Sequence, residues 1–290
     1  MKTIIDVKYW LMLVVVILVL VAGFYIFGLR SNENNSKTNE VKIIPSLIIA
    51  PTASKTPENK LPENYEVPIL MYHYIRVAPA GDDLGYALSV TPENFDLQVK
   101  WLQENNYASM TLADLADPQK IALRKIFAQN KKPIILTFDD GYEDAYTAAL
   151  PVLKKYQFVA TFFIIENKTD KDGLYLTSKQ ILEMETLNME IGSHTLTHPN
   201  LATSSSEKMR KEILESKKDT LTFCYPSGRY NENVENTVKE AGYLAAVTTE
   251  FGVAKNTSNL FALKRVRVEN GDGIYLGERI EKARKMSAND

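Results

Sequence analysis

The 290-residue chain has a single cysteine, Cys224, so no intramolecular disulfide can form in any compartment. Its stability has to come from a packed core. Histidine is nearly as scarce, with His73, His194 and His198 the only three, and any chemistry that needs imidazole must draw on these. An excess of one charge is also missing, since 34 basic residues face 36 acidic ones. That balance provides no field to gather nucleic acid. Like charges form no long run, and no internal repeat divides the chain. Apolar residues are plentiful: 45% hydrophobic with 10% aromatic is ample for the core of one large domain or two small ones.

Residues 9–29 carry no charge and are dominated by Leu, Val, Ile, Phe and Trp. The run is long enough to cross a bilayer, which takes about 20 apolar residues. Lys2 and Lys8 precede it and Arg30 follows. Trp10 and Tyr25 lie toward its ends, where amphipathic rings favour the interface. A cleaved secretory signal is the competing reading, but the run exceeds a usual signal core and Val21-Ala22-Gly23 is a poor cleavage site deep inside it. The expectation is an uncleaved, single-pass membrane anchor over 1–30, with the rest of the chain outside the cytoplasm. Residues 31–65 turn to Asn, Ser, Thr, Lys, Glu and Pro, a composition that cannot bury enough apolar surface to order itself, and read as a flexible tether. Residues 66–290 read as the folded domain.

Within that domain, apolar runs of strand length alternate with helical patterns. Strands are expected at 67–72, 134–138, 160–165, 189–193, 221–225, 244–248 and 263–268, and helices at 92–105, 143–156, 178–187, 205–218, 232–241 and 277–285. Thr91 suits an N-cap and Pro92 the first helical position. An α/β chain of this kind crosses over right-handedly, and about seven such strands form an open doubly wound sheet or a closed barrel. In both, the site lies at the C-terminal ends of the strands. His73, the pair Asp139-Asp140 and His194 all fall at such ends.

The run 134–138 stops abruptly at Asp139-Asp140-Gly141. Asp-Gly is a common turn dipeptide, so the pair alone could be turn chemistry. His194 and His198 shift the balance, because a four-residue separation brings both rings to one side if the backbone turns helically. Two imidazoles and a carboxylate with an open fourth position are the ligand set of a catalytic zinc site. Adjacent aspartates at a strand end point in different directions. One can coordinate metal while the other accepts a proton from the bound water, and spacing does not decide which does which. Cys224, in an apolar strand, reads as a small packing residue.

Thr137-Phe138-Asp139-Asp140-Gly141-Tyr142 together with His194-Thr195-Leu196-Thr197-His198 resembles the first two motifs of the polysaccharide deacetylases, the NodB-homology domain of carbohydrate esterase family four. Val67-Pro68-Ile69-Leu70-Met71-Tyr72-His73 is similar to the opening strand of a subgroup of exported poly-N-acetylglucosamine and peptidoglycan deacetylases. Phe223-Cys224-Tyr225-Pro226-Ser227-Gly228 is similar to that subgroup's third motif. The resemblance implies a (β/α) barrel of the deformed NodB type, here preceded by the anchor helix. It implies that Asp140, His194 and His198 bind a divalent metal, zinc first, with Co2+, Ni2+ or Mn2+ as alternatives. It makes Asp139 the general base and puts the oxyanion or substrate contacts at Ser227 and Tyr225.

The chain departs from the family in three places. The arginine that usually orients the base is replaced by Cys224, the Asp and Trp motif is missing, and no histidine follows His198. The subgroup resemblance then assigns the acid to His73. Arg265 and Arg267 are the candidates to replace the missing arginine, and alternation puts both on one face without choosing between them. The expected function is metal-dependent removal of N-acetyl groups from N-acetylglucosamine in a cell-wall or extracellular polysaccharide, by a monomer with its domain outside the cell. An O-acetyl esterase acting on a glycan and a catalytically inactive carbohydrate-binding scaffold are the alternatives. Intact Asp139, Asp140, His194 and His198 argue against the second.

Overall fold

Alternation along the strands decides which side chains face inward. In the computed structural model, which describes residues 60–288, β1 (Ile69–Tyr72) turns Ile69 toward Ile135, Phe163 and Val247. Leu70 and Tyr72 turn the other way, toward Phe95, Val99 and Leu136. Six more strands follow: β2 (Lys132–Phe138), β3 (Thr161–Ile164), β4 (Glu190–Ser193), β5 (Thr222–Cys224), β6 (Ala245–Phe251) and β7 (Leu263–Arg267). Each runs parallel to its neighbours, and β1 pairs with both β2 and β7, so the seven close into a ring. The outward residues meet a layer of helices that includes Pro92–Glu104, Leu150–Tyr156 and Gly273–Ser287. The inward residues fill the barrel, as in other closed parallel barrels.

The expected strands are all present, with differences at their ends. The expected strand 67–72 is broken at Pro68, which has no N–H for a ladder. Glu66–Val67 instead pairs antiparallel with Ala254–Lys255. Short strands at Tyr107–Ser109, beside the start of β2, and at Tyr74–Ile75 with Ser89–Val90 are too brief to show a period. The helix expected at 143–156 is a π-helical turn, Ala145–Ala149, leading into Leu150–Tyr156. Pro151 cannot donate to the carbonyl four residues earlier, and the Leu150 N–H reaches back five residues, to the Ala145 carbonyl.

The last helix starts at Gly273, capped by Asp272, and not at Gly277. Both glycines lie against Trp101, whose side chain occupies the space a β-carbon would need. The expected anchor over 1–30 and most of the tether over 31–65 lie outside the described residues. Among the described residues, no helix is long and apolar enough to cross a membrane.

Candidate active site

The inward positions change from apolar to polar toward the C-terminal ends of the strands. On β2, Ile135 is followed two residues later by Thr137 and then by Asp139. On β7, Leu263 is followed by Arg265 and Arg267. A cavity of about 550 Å³ opens there, lined by His73, Asp139, Asp140, His194, His198, Ser227 and Arg267 among others.

Asp139 is buried, and the fully buried Arg265 holds it from below. The two guanidinium nitrogens Nη1 and Nη2 donate to its two carboxylate oxygens, each at 2.7 Å. The remaining donors of Arg265 go to the Thr248 carbonyl, the Thr137 hydroxyl and the Cys224 sulfur, so all five are satisfied. Burial would raise the Asp139 carboxyl, but the Arg265 charge and hydrogen bonds hold it well below the usual carboxylate range. The choice left open between two arginines is thereby made. Arg265 orients Asp139, while Arg267, on the same face nearer the mouth, reaches only the Ala87 carbonyl, at 3.4 Å. Cys224 is a packing residue whose thiol burial pushes up.

Asp140 turns away from Asp139 because its backbone is left-handed, at φ +74°, a conformation that Asp tolerates better than most residues. Its Oδ1 faces Nε2 of His194 at 3.5 Å and Nε2 of His198 at 3.7 Å. The other ring nitrogen of His194 bonds the Cys224 carbonyl at 2.7 Å, an arrangement that aims Nε2 at the cavity. Burial, together with the neighbouring His194, holds His198 below its ordinary value, while Cys224 and Asp140 hold His194 well above its own in spite of its burial; a bound cation would require both rings neutral.

The three donor atoms lie within 4.8 Å of one another. Ligands about 2.1 Å from a tetrahedral ion stand roughly 3.4 Å apart, so the donor set fits a divalent cation. Asp139, His194 and Cys224 also cluster, but Arg265 already occupies Asp139 and Cys224 there.

The segment 194–198 does not turn helically. Thr195 and His198 are both left-handed, at φ +67° and +59°, and the loop is held from outside. The buried Glu212 accepts from the backbone N–H groups of Leu196 and Thr197 and from the Thr197 hydroxyl. Sequence reasoning missed Glu212, which sits among charged residues on helix Ser206–Leu214 and looks like part of a solvated face.

His73, just past β1, has Nε2 3.8 Å from Asp139 Oδ2. Burial pushes its imidazole below the ordinary value, against the pull of Asp139 and Asp140. Ser227 lines the cavity with a left-handed backbone, at φ +53°. Its N–H takes no part in the turn around it, whose bonds run from Gly228 to Tyr225 and from Arg229 to Pro226. Tyr225 lies away from the cavity. It is fully buried, its N–H goes to the Val247 carbonyl, and its hydroxyl goes to Phe261.

Because the polar cluster sits at the carboxyl ends of a parallel barrel, where such folds keep their chemistry, this chain falls in the class of barrel enzymes. A polysaccharide deacetylase family model matches residues 128–246. The YxkH protein of Bacillus subtilis (strain 168), whose name places it among the polysaccharide deacetylases, is 37% identical over 229 residues, covering 74% of this chain and 76% of its own. The poly-beta-1,6-N-acetyl-D-glucosamine N-deacetylase of Staphylococcus aureus (strain MRSA252) is 25% identical over 231 residues, covering 69% of this chain and 78% of its own. Among solved structures, the Streptococcus pyogenes deacetylase PplD in complex with acetate superposes with a TM-score of 0.66 at 30% identity, over 74% of this chain and 98% of its own. The chain belongs to the polysaccharide deacetylase family and is a hydrolytic N-deacetylase.

Proposed function

We propose that the chain hydrolyses N-acetyl groups of N-acetylglucosamine residues in a cell-wall or extracellular polysaccharide, releasing acetate, with the help of a divalent ion. The observation that carries this reading is one buried, doubly clamped carboxylate, Asp139, sharing a cavity with the Asp140, His194 and His198 donor set. The S. aureus relative acts on such a polymer by its name. Asp140, His194 and His198 would hold the ion, with zinc expected before Co2+, Ni2+ or Mn2+. Bound there, the ion would polarise the amide carbonyl and lower the pKa of a water to about 7.

The chain's own groups account for the rest. Arg265 keeps Asp139 ionised and fixed in orientation, so the carboxylate is free to take the proton of the attacking water. The Ser227 N–H, unused by the turn around it, would donate to the tetrahedral oxyanion. The departing amine is a very poor leaving group until protonated. Burial holds the His73 imidazole below its ordinary value, and we infer that it relays to the amine the proton that Asp139 has just accepted.

Full-length protein in detergent is therefore expected to release acetate from N-acetylglucosamine oligomers while free amines appear in step. Acetate without amines would point to ester cleavage instead. His73→Ala is expected to remain folded, keep its ion, and lose roughly a hundredfold or more in deacetylation while sparing activated acetyl esters, whose leaving group needs no proton. A folded His73→Ala protein that works at the wild-type rate would leave Asp139 as sole acid and base.

The same reading places the protein in the cell membrane through residues 9–29, single-pass, with its domain outside. Recovery of the intact full-length chain in the soluble fraction of lysed cells would remove that part.

A further inference from the structure

Two cations line the cavity without a carboxylate of their own among the described residues. Arg267 reaches only a backbone carbonyl. Lys168 lies over the Tyr175 ring, 5.1 Å from its centre. Among the described residues, the only carboxylates lining the cavity are Asp139 and Asp140. Arg265 neutralises the first, and the second faces two imidazoles.

Lys168 is exposed, and the ring beneath it belongs to a stacked column. Tyr175 stacks on Tyr142 at 5.4 Å, Tyr142 stacks on Tyr74 at 3.7 Å, and the Arg76 guanidinium covers the far face of the column, 3.6 Å from the Tyr74 centre. Tyr142 directly follows Asp140-Gly141, so the column that carries Lys168 is built onto the acid loop. Lys168 follows β3 and Arg267 ends β7, and these strands flank the β1–β2 pair that presents His73 and Asp139. A glycan crossing the mouth with one sugar at Asp139 would run its neighbouring sugars toward these two flanking strand ends.

We infer that the cleft selects a polymer in which a sugar flanking the reacting N-acetylhexosamine bears a carboxylate, read by Lys168 on one side and Arg267 on the other. This rests on the N-deacetylase reading above and narrows its substrate. A neutral sugar offers these cations only hydroxyls, whereas a carboxylate gives each a charge-assisted hydrogen bond. A phosphate is commonly met by several converging donors, and here the cations stand singly.

The test uses full-length protein in detergent and two forms of one polymer. One is peptidoglycan glycan strands freed of their stem peptides, in which every second sugar carries a free lactyl carboxylate. The other is the same strands with those carboxyls reduced to alcohols. Reduction is expected to lower kcat/KM for acetate release about tenfold, mainly through KM. The preference is expected to shrink at about 1 M salt, where the Debye length is about 3 Å. Lys168→Glu is expected to bring the two forms to near parity, and Lys168→Arg to restore the preference.

Equal rates on both forms would overturn the inference and leave the N-deacetylase reading intact. A full preference surviving in Lys168→Glu would overturn the role of Lys168. No acetate from either form or from neutral N-acetylglucosamine oligomers would overturn the underlying reading as well.

Discussion

Asp139→Asn is expected to lower deacetylation by about two to four orders of magnitude, the range of a lost acid–base group, while the protein still binds its divalent ion. The substitution is nearly isosteric and removes a proton acceptor. It also leaves the fully buried Arg265 facing an amide. Removing one partner of a buried pair costs about 3–5 kcal/mol, so the melting temperature should fall as well. Folding and catalysis can be separated by the double variant Asp139→Asn/Arg265→Met. Apolar replacement of a buried ion pair is often neutral for stability, so this variant should regain thermal stability and remain inactive.

Protonation acts on the same pair. The Asp139 pKa is depressed in the fold, so its contribution to stability is fully present above the unfolded value of 3.8 and is lost only as pH falls through the lower folded value. An Asp139→Asn protein that turned over substrate normally would remove Asp139 from the mechanism.

His194→Ala is expected to abolish activity by a different route, taking the ion with it. The variant would leave Asp140 and His198 as the only donors, and a two-ligand remnant holds zinc poorly. It would also leave the Cys224 carbonyl without its 2.7 Å partner. Metal analysis after dialysis, run on His194→Ala, Asp140→Asn and Asp139→Asn together, should show loss in the first two and retention in the third. Retention in Asp140→Asn with loss in Asp139→Asn would reverse the two aspartates' roles, and a wild type that binds no ion with measurable affinity would remove the site.

Much of this molecule was legible in one dimension because its signals are local. A strand announces itself by four to eight apolar residues between turns, and a catalytic strand end by polar residues immediately after them. Seven strands, the Asp139-Asp140 end and the paired histidines could therefore be read without the fold. Boundaries were less secure where one residue changes a hydrogen bond, as at Pro68 and Pro151. The C-terminal helix was started too late because Gly273 and Gly277 serve the Trp101 ring packed against them, a contact across more than 170 residues.

The sequence alone determined which residues could do chemistry and at which strand ends they stand, since side-chain type and period-two alternation are written in neighbouring positions. The tertiary structure alone decided how they are used. Arg265 and Arg267 share a face. The parallel β7–β1 pairing sets Arg267 opposite Met71, so Arg265 lies one pleat deeper, and its side chain reaches up to Thr137 and Asp139. Glu212 holds the histidine loop from a helix 14 residues beyond His198, and Thr195 and His198 take left-handed backbones there. Both outcomes come from groups distant in sequence competing for one buried donor or acceptor, and only the closed ring brings those groups within hydrogen-bond reach.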